Sequence, residues 1–240
     1  MTSHVFFITG TDTDAGKTRI ACALLHAARI RSLTTAAGKP VASGSAVTPA
    51  GLRNDDALAL QAECHPALDY AALNPIALAP AIAPHLAARE AGVALTVENL
   101  SVQMRTLMDH QRDFTLIEGA GGWRVPLNDT ESLSDLANVL KLPVILVVGV
   151  RLGCLNHARL TAEAIAHDGL ELAGWVGNVI EPHTARLDDN LASLDHWLPA
   201  PCLGVVPHLP APASDAIASY LTLDVLLGEN RTTTTLTEKS

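Results

Sequence analysis

The stretch Val5-Phe-Phe-Ile-Thr-Gly-Thr-Asp-Thr-Asp-Ala-Gly-Lys-Thr18 decides how this chain is read. A β-branched and aromatic run feeds a loop of Gly, Thr and Asp, which closes on Gly16-Lys17-Thr18 and passes directly into a helical pattern. That is the order of a strand, a phosphate-binding loop and a helix. Backbone N–H groups of such a loop, with the positive end of the helix behind it, can surround a polyphosphate. Asp14, Ala15 and Gly16 lie where a nucleotide would be held. Lys17 would neutralise the β- and γ-phosphates, and Thr18 would offer its hydroxyl to Mg²⁺.

The spacing is irregular. Five residues separate Gly10 from Gly16, where the commonest form has four, so Thr11 occupies the first-glycine position. Threonine does not take positive φ as readily as glycine, so the start of the loop should differ from the usual form.

With 240 residues, 48% of them hydrophobic, the chain can bury a sizeable core as one large domain or two small ones. A net charge of −9 gives no general attraction to nucleic acid or to an anionic membrane. No run of about 18 apolar residues occurs, and the first four residues lead straight into a strand without a signal peptide pattern, so a cytoplasmic protein is expected. Cys22, Cys64, Cys154 and Cys202 are dispersed and form no C-x-x-C pair, which reads as reduced, buried thiols.

Downstream of the loop, apolar residues from Ile20 to Ile30 recur at helical spacing. A small-residue strand follows over 34–38. Pro40 cannot continue a central ladder, so Lys39 should stand at the strand's carboxyl end, the edge that holds ligands in open α/β sheets. Residues 48–56 read as a polar loop, with Asp55 and Asp56 at the start of a helix, as caps or as metal ligands. The Ala- and Pro-rich stretch 66–84 reads as irregular surface structure that packs through its apolar residues, and His85 as an ordinary polar residue at a helix start. Residues 97–110 make an amphipathic helix.

Phe114-Thr-Leu-Ile-Glu118 then repeats the opening logic, a strand ending in an acid before Gly-Ala-Gly-Gly at 119–122. Glu118 suits the Walker B role of binding Mg²⁺ directly or through water. The apolar run 142–150 has the character of a strand buried on both faces. A helix follows to about His167, with Asn156 near its first turn as a cap or a functional residue. A strand over 172–180 carries Asn178, a helix spans 186–197, and a last strand ends at Pro207. Trp175 and Trp197 need only be core residues. Strands and helices alternate throughout, so the expectation is one α/β domain over 1–228 with a mainly parallel central sheet flanked by helices, and a disordered tail over 229–240. Lys17, Lys39, Glu118 and Asn178 converge on one sheet edge.

With these motifs in this order the chain resembles the dethiobiotin synthetases, ATP-dependent carboxylases of biotin biosynthesis with the P-loop NTPase fold. The matching residues are 10–18, Lys-Pro-Val-Ala-Ser-Gly at 39–44, Gly-Leu-Arg-Asn-Asp-Asp-Ala at 51–57, Glu-Gly-Ala-Gly-Gly-Trp at 118–123, 143–150, and Leu-Gly-Cys-Leu-Asn-His-Ala at 152–158. They span most of 4–208. The resemblance implies that 7,8-diaminononanoate, CO₂ and ATP are joined through a carbamate and a carbamic–phosphoric anhydride, closing a cyclic urea.

Under that resemblance Lys17 and Lys39 stabilise the carbamate and the transferring phosphoryl group. Thr18, Asp56 and Glu118 bind Mg²⁺. Thr13, Asp14 and Ser43 line the diamine and carbamate site beside Gly119, Gly121 and Gly122, while Asn178 and Pro207 contact adenine. Asn156 reaches the partner's substrate carboxylate across a homodimer. Two residues depart from the pattern: Asp14 stands where the family has Glu, and Asn190 lies where a tyrosine lines the substrate tail. A competing reading is a deviant P-loop partitioning ATPase that switches a protein partner. Such proteins carry an extra lysine early in the loop, where this chain has Thr11 and Asp12. ATP-dependent amidation of corrinoid carboxylates would need a glutamine-hydrolysing domain for which the chain has no room.

Overall fold

In the computed structural model, which describes residues 3–210 and 212–229, the apolar run before the loop is strand β1 (His4–Gly10), buried from Phe6 onward. Helix α1 (Lys17–Ile30) follows at once and lays Ile20, Ala21, Leu24 and Leu25 against the sheet. Strand β2 (Thr35–Gly38) ends just before Lys39, as Pro40 requires.

The next segment is more ordered than its composition suggests. Short strand β3 (Val41–Ala42) precedes a hairpin of β4 (Ala46–Thr48) and β5 (Gly51–Arg53), placed where a polar loop was expected. Helix α2 (Asp55–Ala62) is capped by Asn54, whose side chain accepts from the Ala57 amide. Asp55 and Asp56 therefore lie in the first turn, where they favour the helix dipole without capping it. The stretch read as irregular contains α3 (Tyr70–Leu73) and β6 (Ile76–Ala77), the latter paired in parallel with β3. Pro84 opens α4 (Pro84–Glu90), a position where its missing N–H costs nothing.

Helix α5 (Val97–Met108) leads to β7 (Phe114–Glu118), every residue of which is buried. A capping box of Ser132 and Asp135 starts α6 (Leu133–Leu140), a helix that carries no site motif. Strand β8 (Val144–Val150), helix α7 (Cys154–His167), strand β9 (Leu172–Val179), helix α8 (Leu187–Trp197), strand β10 (Cys202–Val206) and helix α9 (Ser214–Ala218) complete the order.

Six of these strands form one parallel sheet in the order β10-β9-β8-β1-β7-β2. Parallel sheets need cover on both faces, and β8 shows why: all seven of its residues are buried. Ile145 and Val147 join the main core with α1, whereas Leu146, Val148 and Val150 face α7 and α8 around Trp175. Trp197 is not a core residue. It is 53% exposed and stacks under Arg159, whose guanidinium carbon lies 4.1 Å from the ring centroid. Cys22, Cys64 and Cys154 are buried and Cys202 half-buried, all as free thiols.

The C-terminal segment folds back on α1, where Arg31 binds Asp224 at 2.6 Å and Glu229 at 3.1 Å. Of the tail expected over 229–240, residues 230–240 lie outside the described residues.

A local lock sets β2 beside β7. The Asp113 carboxylate accepts from the Thr34 amide and hydroxyl at 2.8 and 2.6 Å, and these bonds hold it below the usual carboxylate range. Asp113→Ala should cost about 1 kcal/mol at neutral pH. Because the folded value is depressed, that contribution is complete above about pH 4 and is lost as pH falls through the folded value. Urea unfolding of both proteins should therefore show a gap at pH 7 that shrinks towards pH 3; a gap independent of pH would contradict it.

Candidate active site

The loop from β1 to α1 is docked on the carboxyl end of β8. The Thr11 amide donates to the Val147 carbonyl at 2.9 Å, and the Gly149 amide donates to the Thr11 hydroxyl at 3.3 Å. The loop's left-handed positions are Asp14, with φ of 61°, and Gly16, with φ of 92°; Thr11 is not among them. The first-glycine position therefore makes no demand that threonine cannot meet. Asp12 organises the interior of the loop, since its carboxylate accepts from the Thr13 amide at 2.8 Å and from Arg151 at 2.7 Å. Its carbonyl accepts from the Lys17 ammonium at 3.2 Å.

Gly16 also lies against Asn178, which donates its side-chain amide to the Ala15 carbonyl at 2.9 Å. A Cβ at Gly16 would overlap that amide, in a backbone conformation that other residues enter with difficulty. Gly16→Ala should raise the KM for MgATP about tenfold or more, since both the loop and Asn178 must shift. Equilibrium nucleotide binding checks this, and an unchanged affinity would contradict it.

Behind the loop lies a buried ionic cluster. Glu118 ends β7 fully buried, and Lys39, just beyond β2, is 4% exposed. The Lys39 ammonium donates to Glu118 Oε1 at 2.5 Å and to Asp56 Oδ2 at 3.1 Å. The Thr18 hydroxyl donates to the same Glu118 oxygen at 2.8 Å. Main-chain bonds fix Lys39 from behind: its amide donates to the Leu73 carbonyl, and its carbonyl accepts from the Asn74 side chain at 2.6 Å. Asn74, placed in a stretch read as surface, is thus a buried support of the site.

The two lysines are tuned in opposite directions. Burial disfavours the charged form of each, but Lys39 touches Glu118 and Asp56, which outweigh burial and hold its ammonium above the usual lysine value. For Lys17 burial prevails, only partly offset by Glu118, and it lies below the usual value. Glu118 Oε2 is buried without a hydrogen-bond partner.

A cleft of about 910 Å³ opens over this cluster. Thr13, Asp14, Gly16, Lys17, Thr18, Lys39, Ser43, Asp56, Gly121, Asn178 and Pro207 line it. Glu118 is reached through Lys39 and Thr18, and Ala15 is buried within the loop. A Cβ on Gly119 would meet the Phe7 ring, and one on Gly122 would face the Gly10 and Thr11 carbonyls, so both glycines lie against β1 and the loop. Asn156 is exposed on the first turn of α7 and does not line the cleft. Asn190 is half-buried on α8, its amide bonded to the Ala185 carbonyl.

Sequence reasoning passed over Asp12, Asn54 and Arg124. Asn54 and Arg124 line the cleft, and Asn54 also donates to the Ser43 carbonyl at 3.1 Å. Asn54 belongs to a run of three residues that could each cap a helix, which marks a helix start without selecting it; nothing local marks the other two.

Among the described residues no group of three or more His, Cys, Asp or Glu side chains could hold a metal, so any cation here would rely on mixed oxygen donors. No helix among them is long and apolar enough to cross a membrane.

The family described as AAA domain matches residues 4–214. An ATP-dependent dethiobiotin synthetase BioD of Pseudomonas aeruginosa (strain UCBPP-PA14) is 62% identical over 218 residues, covering 91% of this chain and 96% of the relative. One from Chromohalobacter salexigens is 60% identical over 230 residues, covering 91% and 97%. Among solved structures, the signal recognition particle receptor FtsY from Elizabethkingia anophelis superposes with a TM-score of 0.51 at 14% identity. The match covers 95% of this chain and 65% of that one, and the likeness shows a shared fold alone.

Proposed function

We infer that this chain, which belongs to the ATP-dependent dethiobiotin synthetase family, joins CO₂ to 7,8-diaminononanoate at the expense of ATP and closes the cyclic urea of dethiobiotin, in biotin biosynthesis. The geometric support is that two buried lysines and the oxygens of Thr18, Asp56 and Glu118 meet beneath one cleft.

One neutral amine adds to CO₂, forming the C–N bond of a carbamate and releasing a proton. A carbamate oxygen attacks the γ-phosphorus, and ADP leaves. The second amine attacks the carbonyl carbon of the resulting anhydride, losing a proton, and phosphate leaves with the C–O electron pair. Phosphorylation is needed because an unactivated carbamate oxygen is a poor leaving group.

Lys17 and Lys39 place fixed positive charge where the carbamate and the transferring phosphoryl oxygens carry negative charge. The amides of the loop, through Asp14, Ala15 and Gly16, hold the phosphates. Thr13, Asp14, Ser43 and the glycines at 119, 121 and 122 hold the diamine, Asp14 favouring an amino group. Asn178 and Pro207 border the adenine.

Mg²⁺ fits this site on the character of its donors. Thr18, Asp56 and Glu118 offer only oxygens, Glu118 Oε2 lacks a partner, and Lys39 shows that a cation can sit between the two carboxylates. When bound, the metal would neutralise phosphate charge. Asn156, exposed at the start of α7, would reach the substrate of a partner subunit in a cytoplasmic homodimer.

Phosphate release from ATP should rise at least about tenfold when the diamine and bicarbonate are added. Release indifferent to the diamine would remove the synthetase reading.

A further inference from the structure

The glycine run that follows β7 carries a single side chain, the Ala120 methyl, which packs against the main core. Residues 119–122 are Gly-Ala-Gly-Gly; the Gly119 amide is tied to the Ile8 carbonyl at 3.0 Å, and beyond it Gly121 adopts φ of 59°, so the course of Gly121 and Gly122 depends on the flank that follows. Its leading flank is Glu118, inside the sheet. Its trailing flank is Trp123-Arg124, and both of these side chains end on one carboxylate.

Asp168, the residue that caps the far end of α7, accepts from Trp123 Nε1 through Oδ2 at 2.8 Å and from Arg124 Nη2 through Oδ1 at 2.7 Å. Its side chain is 13% exposed, and its carbonyl accepts from the Asn138 amide at 2.8 Å. Trp123 is 4% exposed and meets Phe7 of β1 edge-on, with 5.9 Å between ring centroids. Arg124 is further held by the Ser134 hydroxyl at 3.0 Å.

We propose that Asp168 is a positioning residue for the glycine run, acting through Trp123 and Arg124 to fix residues 119–122 against the phosphate loop. The run lies close enough for small shifts to matter, since a Cβ on Gly121 would come within 3.6 Å of the Thr13 hydroxyl. Backbone placed this way borders the diamine side of the cleft at Thr13, whereas Gly16, Asn178 and Pro207 on the nucleotide side make no hydrogen bond with Asp168, Trp123 or Arg124. The assignment rests on the diamine site described above. Misplacement of a binding group by about 1 Å can cost on the order of a hundredfold in rate.

Steady-state kinetics of Asp168→Asn and Trp123→Phe test this. Asparagine keeps the shape but presents one N–H to a donor, and phenylalanine keeps the ring against Phe7 while deleting one bond. Asp168→Asn should raise the KM for the diamine about tenfold while the KM for MgATP stays within twofold. Trp123→Phe should raise the diamine KM about threefold, and the double variant should be no worse than Asp168→Asn alone, because both act through one contact. A merely structural Asp168 would lower the melting temperature with neither KM changed, or with both raised together, and either result overturns the proposal; if Asp168→Asn does not fold, the Trp123→Phe split decides. Wild-type protein that forms no cyclic urea would remove the synthetase reading and this proposal with it. Wild-type product formation with unsplit KM values would remove the role of Asp168 alone.

Discussion

Lys39→Ala is expected to abolish turnover and to lower folding stability by about 3–5 kcal/mol, the loss seen when one partner of a buried ion pair is deleted. The reason lies in Glu118. Its carboxylate is fully buried, Oε1 relies on Lys39 and Thr18, and Oε2 has no partner. Without the ammonium, Thr18 offers only a neutral hydroxyl, and Asp56 is a second negative group nearby. For a chain of this size the melting temperature should fall by roughly 10 °C. Lys39→Ala/Glu118→Gln should recover most of that stability while remaining inactive, because the buried charge is then gone. A Lys39→Ala protein as stable as the parent would show that the ion pair does not hold this site together.

Lys17→Ala should damage the chemistry severely and be harmless to the fold. Removal of a preorganised group that stabilises transition-state charge costs about a hundred- to a thousandfold in kcat, and a full charge beside the phosphates belongs at the upper end of that range. Yet in the folded protein Lys17 is buried with one carbonyl bond, to Asp12, and burial pulls its ammonium below the usual value. That shift means folding works against the charged form, so alanine should leave stability unchanged or slightly raised at neutral pH. Paired melting curves and single-turnover rates separate the two lysines: Lys39 supports fold and chemistry, Lys17 the chemistry alone. A large stability loss at Lys17 would contradict the assignment.

The contrast also shows what the linear chain discloses. Strand β1, the loop and α1 were legible because apolar pattern, glycine and the Gly16-Lys17-Thr18 ending agree within a few residues. Lys39, Glu118 and Asn178 were legible as strand-end residues, since the parallel sheet brings such positions to one edge. Which of three successive polar residues caps α2 was not, because Asn54, Asp55 and Asp56 are all good caps and only backbone geometry selects Asn54. Hairpin β4–β5 and the β3–β6 pair were missed because two- and three-residue strands leave too little periodicity to register. Asn74, Asp12 and Asp168 escaped notice because their roles depend on partners far along the chain. Trp197 was misplaced for the opposite reason: a large aromatic at the end of a helix suggests a core, yet here it lies outside under Arg159.

The most direct test is product-resolved mass spectrometry of the purified protein supplied with 7,8-diaminononanoate, isotope-labelled bicarbonate and MgATP. A cyclic urea carrying the label, formed in step with ADP and phosphate and about a thousandfold more slowly with Lys17→Ala, is the predicted result. ATP hydrolysis that proceeds at the same rate without the diamine, with no labelled urea, would contradict it.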